Sequence, residues 1–279
     1  MKALKVRSHA KINLFLDILK KRDDGYHDIR TIFSEIELSD KISFTLTKKD
    51  NVSILTNKYF VSTKDNLIYK VALFIKDRYN VASGAAIELE KNIPVAAGLG
   101  GGSSNCAATI KALSRLWDLA LSPEEMHEIA AHFGSDINFF LEGGCKLGTG
   151  RGEILSDLPA MDIDHIFLVN PGFPVSSGEA YKALKLADKP NENWRKLLQT
   201  SDLKYCFNAL QSAVCQRYPE LAEIIYYLES HGATKTILSG SGATVIAFCP
   251  DDKTANKFAD FYRKKNYWNY ITKTKRSTK

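Results

Sequence analysis

The stretch Pro94 to Ser104, P-V-A-A-G-L-G-G-G-S-S, constrains this chain more than any other. Gly98, Gly100, Gly101 and Gly102 free the backbone for conformations closed to other residues, and they let main-chain N–H groups approach an anion. The segment runs straight into a helical stretch in which Cys106, Ile110, Leu113 and Trp117 recur on one face. Ser103 and Ser104 are expected where that helix begins. Unpaired first-turn N–H groups and the helix dipole favour negative charge at such a place. Together Pro94, Val95, Ala96, Ala97, Gly98, Leu99, Gly100, Gly101, Gly102, Ser103 and Ser104 form a phosphate cradle. A flexible linker would be polar on both sides, whereas Leu99 and the neighbouring alanines anchor this loop. The G-x-x-x-x-G-K-[ST] lysine is missing, so the positive charge must come from elsewhere.

The flanking sequence alternates strands and helices without repeated βαβ spacing, which makes α+β the expected class rather than a doubly wound sheet. Strands are expected at Val6 to Leu19, Ile36 to Thr47, Ala85 to Leu89, His165 to Val169, Thr236 to Leu238, Thr244 to Cys249 and Tyr267 to Thr272. Asp23 to His27, D-D-G-Y-H, is turn chemistry. Helices are expected at Leu67 to Tyr79 and at Ser177 to Leu186. Another should run from Ala209 to His231, bent at Pro219, and a last one from Asp252 to Lys265. Ser122-Pro-Glu-Glu starts a helix that ends at Phe133-Gly134, with Ser at the cap and Glu three residues on. Gly, Asp and Pro cluster between Arg151 and Met161, so the chain divides into 1–157 and 158–279.

Five scattered cysteines with no C-x-x-C pair argue against a disulfide framework or a zinc site. No apolar run reaches the roughly 20 residues of a membrane span, and the first residues lack the apolar block of a secretory signal. A cytoplasmic protein with no membrane partner is expected. The net charge of +6 includes Lys273, Lys275, Arg276 and Lys279, in a polar tail expected to fray. No RNA-binding aromatic motif accompanies the charge, so no nucleic-acid partner is expected.

Phosphorylating an alcohol requires a placed nucleophile, neutralised phosphoryl charge and an acceptor for the hydroxyl proton. The conspicuous carboxylate is Asp136, in G-S-D-I-N-F-F-L, and the conspicuous lysine is Lys11, in A-K-I-N-L-F-L. Each has a plain alternative. Asp136 could cap a helix starting at Ile137, and Lys11 could be a strand lysine whose head reaches solvent.

P-x-x-x-G-L-G-G-G-S-S resembles the phosphate-loop signature of the GHMP kinases. A-K-I-N-L-F-L, D-G-Y-H, G-S-D-I-N-F-F-L-E-G-G, G-R-G-E and S-G-S-G-A-T follow the same family in order across nearly the whole chain. The resemblance implies a two-domain fold with an N-terminal mixed sheet, helices carrying the glycine loop, and a C-terminal ferredoxin-like α/β sandwich. It implies catalysis by Asp136 as general base with Lys11 as its cationic partner, and ATP with Mg2+. D-G-Y-H beside A-K-I-N-L implies a small-molecule substrate carrying cytidine diphosphate, rather than mevalonate or galactose. Tyr26, His27 and Asn13 would then bind substrate, with Tyr181 as a second aromatic unless it is simply a core residue. Gly240, Ser241 and Gly242 would close on substrate or phosphate, unless S-G-S-G is only a hairpin. Metal ligands cannot be assigned from sequence, and a monomer or weak homodimer is expected. The alternatives are another GHMP sugar, mevalonate or homoserine kinase, and a non-catalytic nucleotide-sensing module. His9 and Asn105 replace residues frequent in the family, and Arg151 has no firm role.

Overall fold

A computed structural model describes residues 2–58 and 61–276 of the chain. Two compact units form, each from separated segments: Met1–Ala10, Leu38–Val95 and Gly100–Gly143 in the first, and Lys11–Glu37, Ala96–Leu99 and Gly144–Lys279 in the second. The long strands β1 (Ala3–Lys21) and β2 (His27–Thr47) contribute a stretch to each.

In the first unit, β2 pairs antiparallel with β4 (Gly84–Glu90), which pairs in parallel with β3 (Val52–Thr56). Four helices belong to this unit: α1 (Leu67–Arg78), α2 (Gly101–Leu116), α3 (Pro123–Phe133) and α4 (Ile137–Glu142). α2 is the central one. Cys106, Ile110 and Leu113 are buried on it as the apolar spacing requires, and Trp117 closes its end. α3 begins with the expected capping box: Ser122 accepts from the Glu125 N–H, and Glu125 accepts from the Ser122 N–H.

The start of α2 is fastened by a buried polar network. The carboxylate of Asp40, on β2 and 0% exposed, accepts from Lys91 Nζ at 2.5 Å and from Asn105 Nδ2 at 2.8 Å. It also accepts from the backbone N–H groups of Asn92 at 2.7 Å and Ile93 at 2.8 Å. Asn105 Nδ2 also donates to Ser8 Oγ at 2.8 Å, and Ser8 Oγ donates to Ser104 Oγ at 2.8 Å. Burial pulls the Lys91 ammonium below the usual lysine range, against the opposing pull of Asp40.

In the second unit, β2 pairs with β5 (Cys145–Thr149), which turns back as β6 (Ile154–Asp157), and β1 pairs in parallel with the short β8 (Phe207–Asn208). A separate antiparallel sheet contains β7 (Ile166–Asn170), β9 (Lys235–Leu238), β10 (Val245–Phe248) and β11 (Trp268–Thr272), in the order β11-β7-β10-β9. Numbered within that sheet, this is the 4-1-3-2 order of a ferredoxin-like β-α-β-β-α-β unit, and the α+β expectation holds. β7 and β10 are buried along their whole length because helices cover them. The covering helices are α5 (Ser177–Ala183), α7 (Gln211–Arg217), α8 (Pro219–Ser230) and α9 (Asp252–Lys264).

Three expectations are corrected. The helix placed from Ala209 to His231 is two helices, α7 and α8: the chain leaves helical geometry at Tyr218, and Pro219 starts α8, where a missing N–H costs nothing. α6 (Asn193–Thr200), β3, β5, β6 and β8 had not been anticipated. The basic tail does not fray through Arg276. Glu37 N–H donates to Lys273 O at 3.0 Å, Lys275 N–H donates to Glu35 O at 2.9 Å, and Arg276 meets Asp164 at 3.1 Å. These bonds satisfy backbone groups of β2 that would otherwise lack partners. Lys279 lies outside the described residues.

Asp40→Asn leaves the Lys91 ammonium buried without its countercharge and should cost about 3–5 kcal/mol of stability, as broken buried pairs do. Urea unfolding measures it; a loss within the scatter of surface substitutions would show that the network holds nothing.

Candidate active site

The glycine loop takes left-handed backbone at alternate positions: Ala96 has φ 53°, Gly98 76° and Gly100 68°. Ala97 and Leu99 between them are buried anchors. Gly100 is the N-cap of α2 and has no side chain to bond the first turn. The helix therefore starts at Gly101, two residues earlier than expected, and Ser103 and Ser104 occupy its third and fourth positions. Ser104 N–H already donates to Gly100 O at 2.9 Å, and its hydroxyl faces inward to Ser8. The N–H groups of Gly101, Gly102 and Ser103 are the first-turn donors that an α-helix leaves without an internal partner.

The glycines serve different needs. A Cβ on Gly98 would lie 1.9 Å from the Ser239 carbonyl oxygen, and one on Gly101 would lie 2.9 Å from Lys91 Nζ and from Ile93 Cγ2. A Cβ on the exposed Gly102 would meet only Leu67, at 3.6 Å. Among the described residues, none requires glycine at 102.

Lys11, 4% exposed on β1, donates from Nζ to Asn13 Oδ1 at 2.5 Å and stands 5.4 Å from the Phe33 ring centre. Its backbone N–H donates to Leu99 O at 3.0 Å, which ties β1 to the loop. Asn13 Nδ2 donates to Thr31 Oγ1 at 2.8 Å, and the Thr31 hydroxyl donates to Phe15 O at 2.8 Å. Lys11 and Asn13 thus share one strand face, as their spacing requires. The Lys11 head is turned into the protein, against the plain solvent-reaching alternative.

Ser239 to Gly242 does link β9 to β10, and it does more than turn. Ser239 Oγ donates to Gly98 O at 3.0 Å, and Gly240 approaches both Gly98 and Asn13. Ser241 Oγ bonds Ser177 Oγ at 2.9 Å.

The aromatic residues group differently from expectation. The His27 ring stacks on Tyr181 with centroids 5.1 Å apart, and Tyr181 also packs on the C-terminal core. Tyr26, 56% exposed, has the Arg151 guanidinium 4.7 Å from its ring. The irregular G-T-G-R-G-E stretch is the β5–β6 turn, with Gly150 and Gly152 at positive φ, and it delivers Arg151 to that place.

Asp136 is half-buried at the N-cap of α4 and makes no side-chain capping bond. The capping alternative therefore fails, and the carboxylate is left for other work. Two residues on, Asn138 Oδ1 is buried without a hydrogen-bond partner. Among the described residues no cluster of three or more His, Cys, Asp or Glu side chains could hold a metal ion, and no helix is long and apolar enough to cross a membrane.

The model of the GHMP kinases N terminal domain matches residues 66–144, and that of the GHMP kinases C terminal matches 181–267. A 4-diphosphocytidyl-2-C-methyl-D-erythritol kinase of Bacillus subtilis (strain 168) is 41% identical over 248 residues, 86% of each chain. That of Geobacillus sp. (strain WCH70) is 37% identical over 257 residues, 89% of each chain. The chain belongs to the GHMP kinases. As a GHMP kinase it is an ATP-dependent small-molecule kinase, as the motifs led us to expect. A crystal structure of 4-(cytidine 5'-diphospho)-2C-methyl-D-erythritol kinase superposes with TM-score 0.83 at 26% identity, covering 98% of this chain and 100% of the other. An L. major mevalonate kinase shares the fold at TM-score 0.74 and 16% identity, covering 99% of this chain and 97% of the other.

Burial, helped by the charge of Lys21, lowers the pKa of His27 below its ordinary 6.5, so the ring is neutral at pH 7. The unfolded chain binds that proton more tightly. Stability from this site therefore falls as pH drops below 6.5 and is lost once pH passes under the lowered folded value. An NMR titration should place the His27 midpoint below 6.5; a midpoint at or above it would contradict the burial argument.

Proposed function

We propose that this kinase transfers the γ-phosphoryl group of ATP to the 2-hydroxyl of 4-(cytidine 5'-diphospho)-2-C-methyl-D-erythritol, in the non-mevalonate route to isopentenyl diphosphate. The observation that carries the ATP half is the uncapped start of α2. Gly100 offers no side chain to the first-turn amides, and glycine at 102 is required by none of the described residues. A residue kept to hydrogen where the protein leaves room favours a ligand passing close over it. The names of the relatives at 37–41% identity support the substrate half. So do the stacked rings of His27 and Tyr181 and the exposed ring of Tyr26, aromatic faces suited to a pyrimidine base.

Asp136, half-buried and free of capping duty, is the general base that takes the hydroxyl proton. Lys11, held by Asn13, supplies positive charge that favours the ionised base and offsets the charge of the transferring group. ATP arrives as its Mg2+ complex, so the metal is part of the co-substrate. The family models fall on either side of residue 157, which supports an N-terminal domain 1–157 carrying the phosphate loop. Residues 158–279 then contribute Tyr181, Gly240, Ser241 and Gly242 to the substrate site. Free cysteines suit a reducing cytoplasm: burial pushes Cys106, Cys206 and Cys249 up to about 12 and Cys145 to about 11. A monomer or weak homodimer completes the proposal.

Two measurements test it. The purified chain with Mg-ATP should phosphorylate the cytidine-bearing alcohol and not mevalonate, homoserine or galactose, and Asp136→Asn should lower turnover about 10²–10⁴-fold while keeping ATP binding. Turnover of another alcohol, or ATP binding without turnover, removes the substrate assignment; near-normal turnover in the variant removes Asp136 as the base. Separately, Gly102→Ala should leave stability equal or up to about 1 kcal/mol higher, since alanine is the better helix former. It should nevertheless weaken ATP binding about tenfold, or about 1.4 kcal/mol. Unchanged ATP affinity would take the ligand away from that surface.

A further inference from the structure

β8 is only two residues long, and its register against β1, Phe15 with Phe207 and Leu16 with Asn208, fixes where the Asn208 side chain points. The Asn208 amide, 5% exposed, donates from Nδ2 to the carbonyls of Leu238 and Gly240, at 2.7 Å each. Its Oδ1 accepts from the Leu210 N–H at 2.9 Å. Both amide protons and the oxygen are therefore committed. Gln211 Oε1 adds a bond from the Leu238 N–H at 3.0 Å. Phe207, Asn208, Gln211, Tyr226 and Ile237 also line part of a cavity of about 400 Å³. Three hydrogen bonds fix the orientation of the amide toward the hairpin.

The two carbonyls it holds flank Ser239. That residue is 0% exposed, and its hydroxyl donates to Gly98 O while its own carbonyl oxygen fills the space a Gly98 side chain would need. Two steps of hydrogen bonding therefore run from Asn208 to the glycine loop. We propose that Asn208 is a positioning residue for ATP: it fixes the β9–β10 hairpin against Gly98 and so sets the course of the phosphate loop into α2. The inference rests on residues 94–104 binding the triphosphate. Asn208 itself touches no reacting atom.

Asn208→Asp puts an oxygen where an N–H₂ group faces two carbonyls, with no change in size. Direct titration with Mg-ATP, in the absence of any alcohol, should show Kd raised about 5- to 30-fold, the loss of one or two buried hydrogen bonds. Ser239→Ala cuts the second step alone and should raise Kd in the same direction. In the double variant the two effects should not multiply, because both act through one path. A merely structural role predicts a lowered Tm with ATP affinity unchanged, and that result overturns the proposal, as do effects that multiply. If Asn208→Asp fails to fold, Ser239→Ala decides alone, and an unchanged Kd overturns it. Wild-type protein that binds no ATP overturns the phosphate-loop assignment and this inference together; wild-type binding with unaltered variants overturns the inference only.

Discussion

The carboxylate of Asp40 is the constraint on which the start of α2 depends. An ionised acid with no solvent exposure is costly unless every lone pair is engaged. Here four donors reach it, from Lys91, Asn105 and the backbone of Asn92 and Ile93. Three come from the segment just before the glycine loop, residues 91–93, and one from the first turns of the helix just after it. A single side chain on β2 thereby fixes both ends of the loop, and the chain between is free to adopt strained left-handed backbone at Ala96. The same network turns the Ser104 hydroxyl inward, toward Ser8. Gly101 fits because Lys91 and Ile93 crowd it.

Much of this was legible in the sequence, and what was not has physical reasons. The long strands, the helices of the N-terminal unit and the βαββαβ order carry strong periodicity or caps. β8 has two residues, too few for any period, and yet it sets the direction of Asn208. β5 contains Gly148, which reads as a breaker but sits where a Cβ would strike Phe33. Asp40 did leave a signal that was passed over. It stands in phase with Ile36, Leu38, Ile42 and Phe44, the inward register of an alternating strand, so a charge there had to be paired inside. The helix start was placed two residues late because glycine is a poor helix former. Packing overrode that propensity.

In the site, the residues fixed by backbone spacing were readable and those fixed by tertiary contact were not. Lys11 and Asn13 are two apart on a strand and had to share a face. Nothing local foretold that Arg151 would reach Tyr26, since a β-turn delivers it and its stretch looked irregular. Nor could spacing foretell that His27 would stack on Tyr181, more than 150 positions on. That contact covers one face of each ring, while burial and the charge of Lys21 lower the imidazole pKa. A neutral ring can both donate and accept, which suits a base edge carrying both kinds of group.

The glycine run itself divides by cause. Gly98 is demanded by the hairpin that closes on it, Gly100 by a left-handed cap, Gly101 by its packed neighbours, and Gly102 by none of the described residues. Three of four glycines in a phosphate-loop motif are therefore explained by folding alone. Their presence would persist in a relative that had lost its ligand, provided the hairpin and the Asp40 network remained. Gly102 is the position where the two explanations separate, because alanine there would improve the helix. A glycine there, against that local preference, is the part of the motif that speaks for ligand rather than fold.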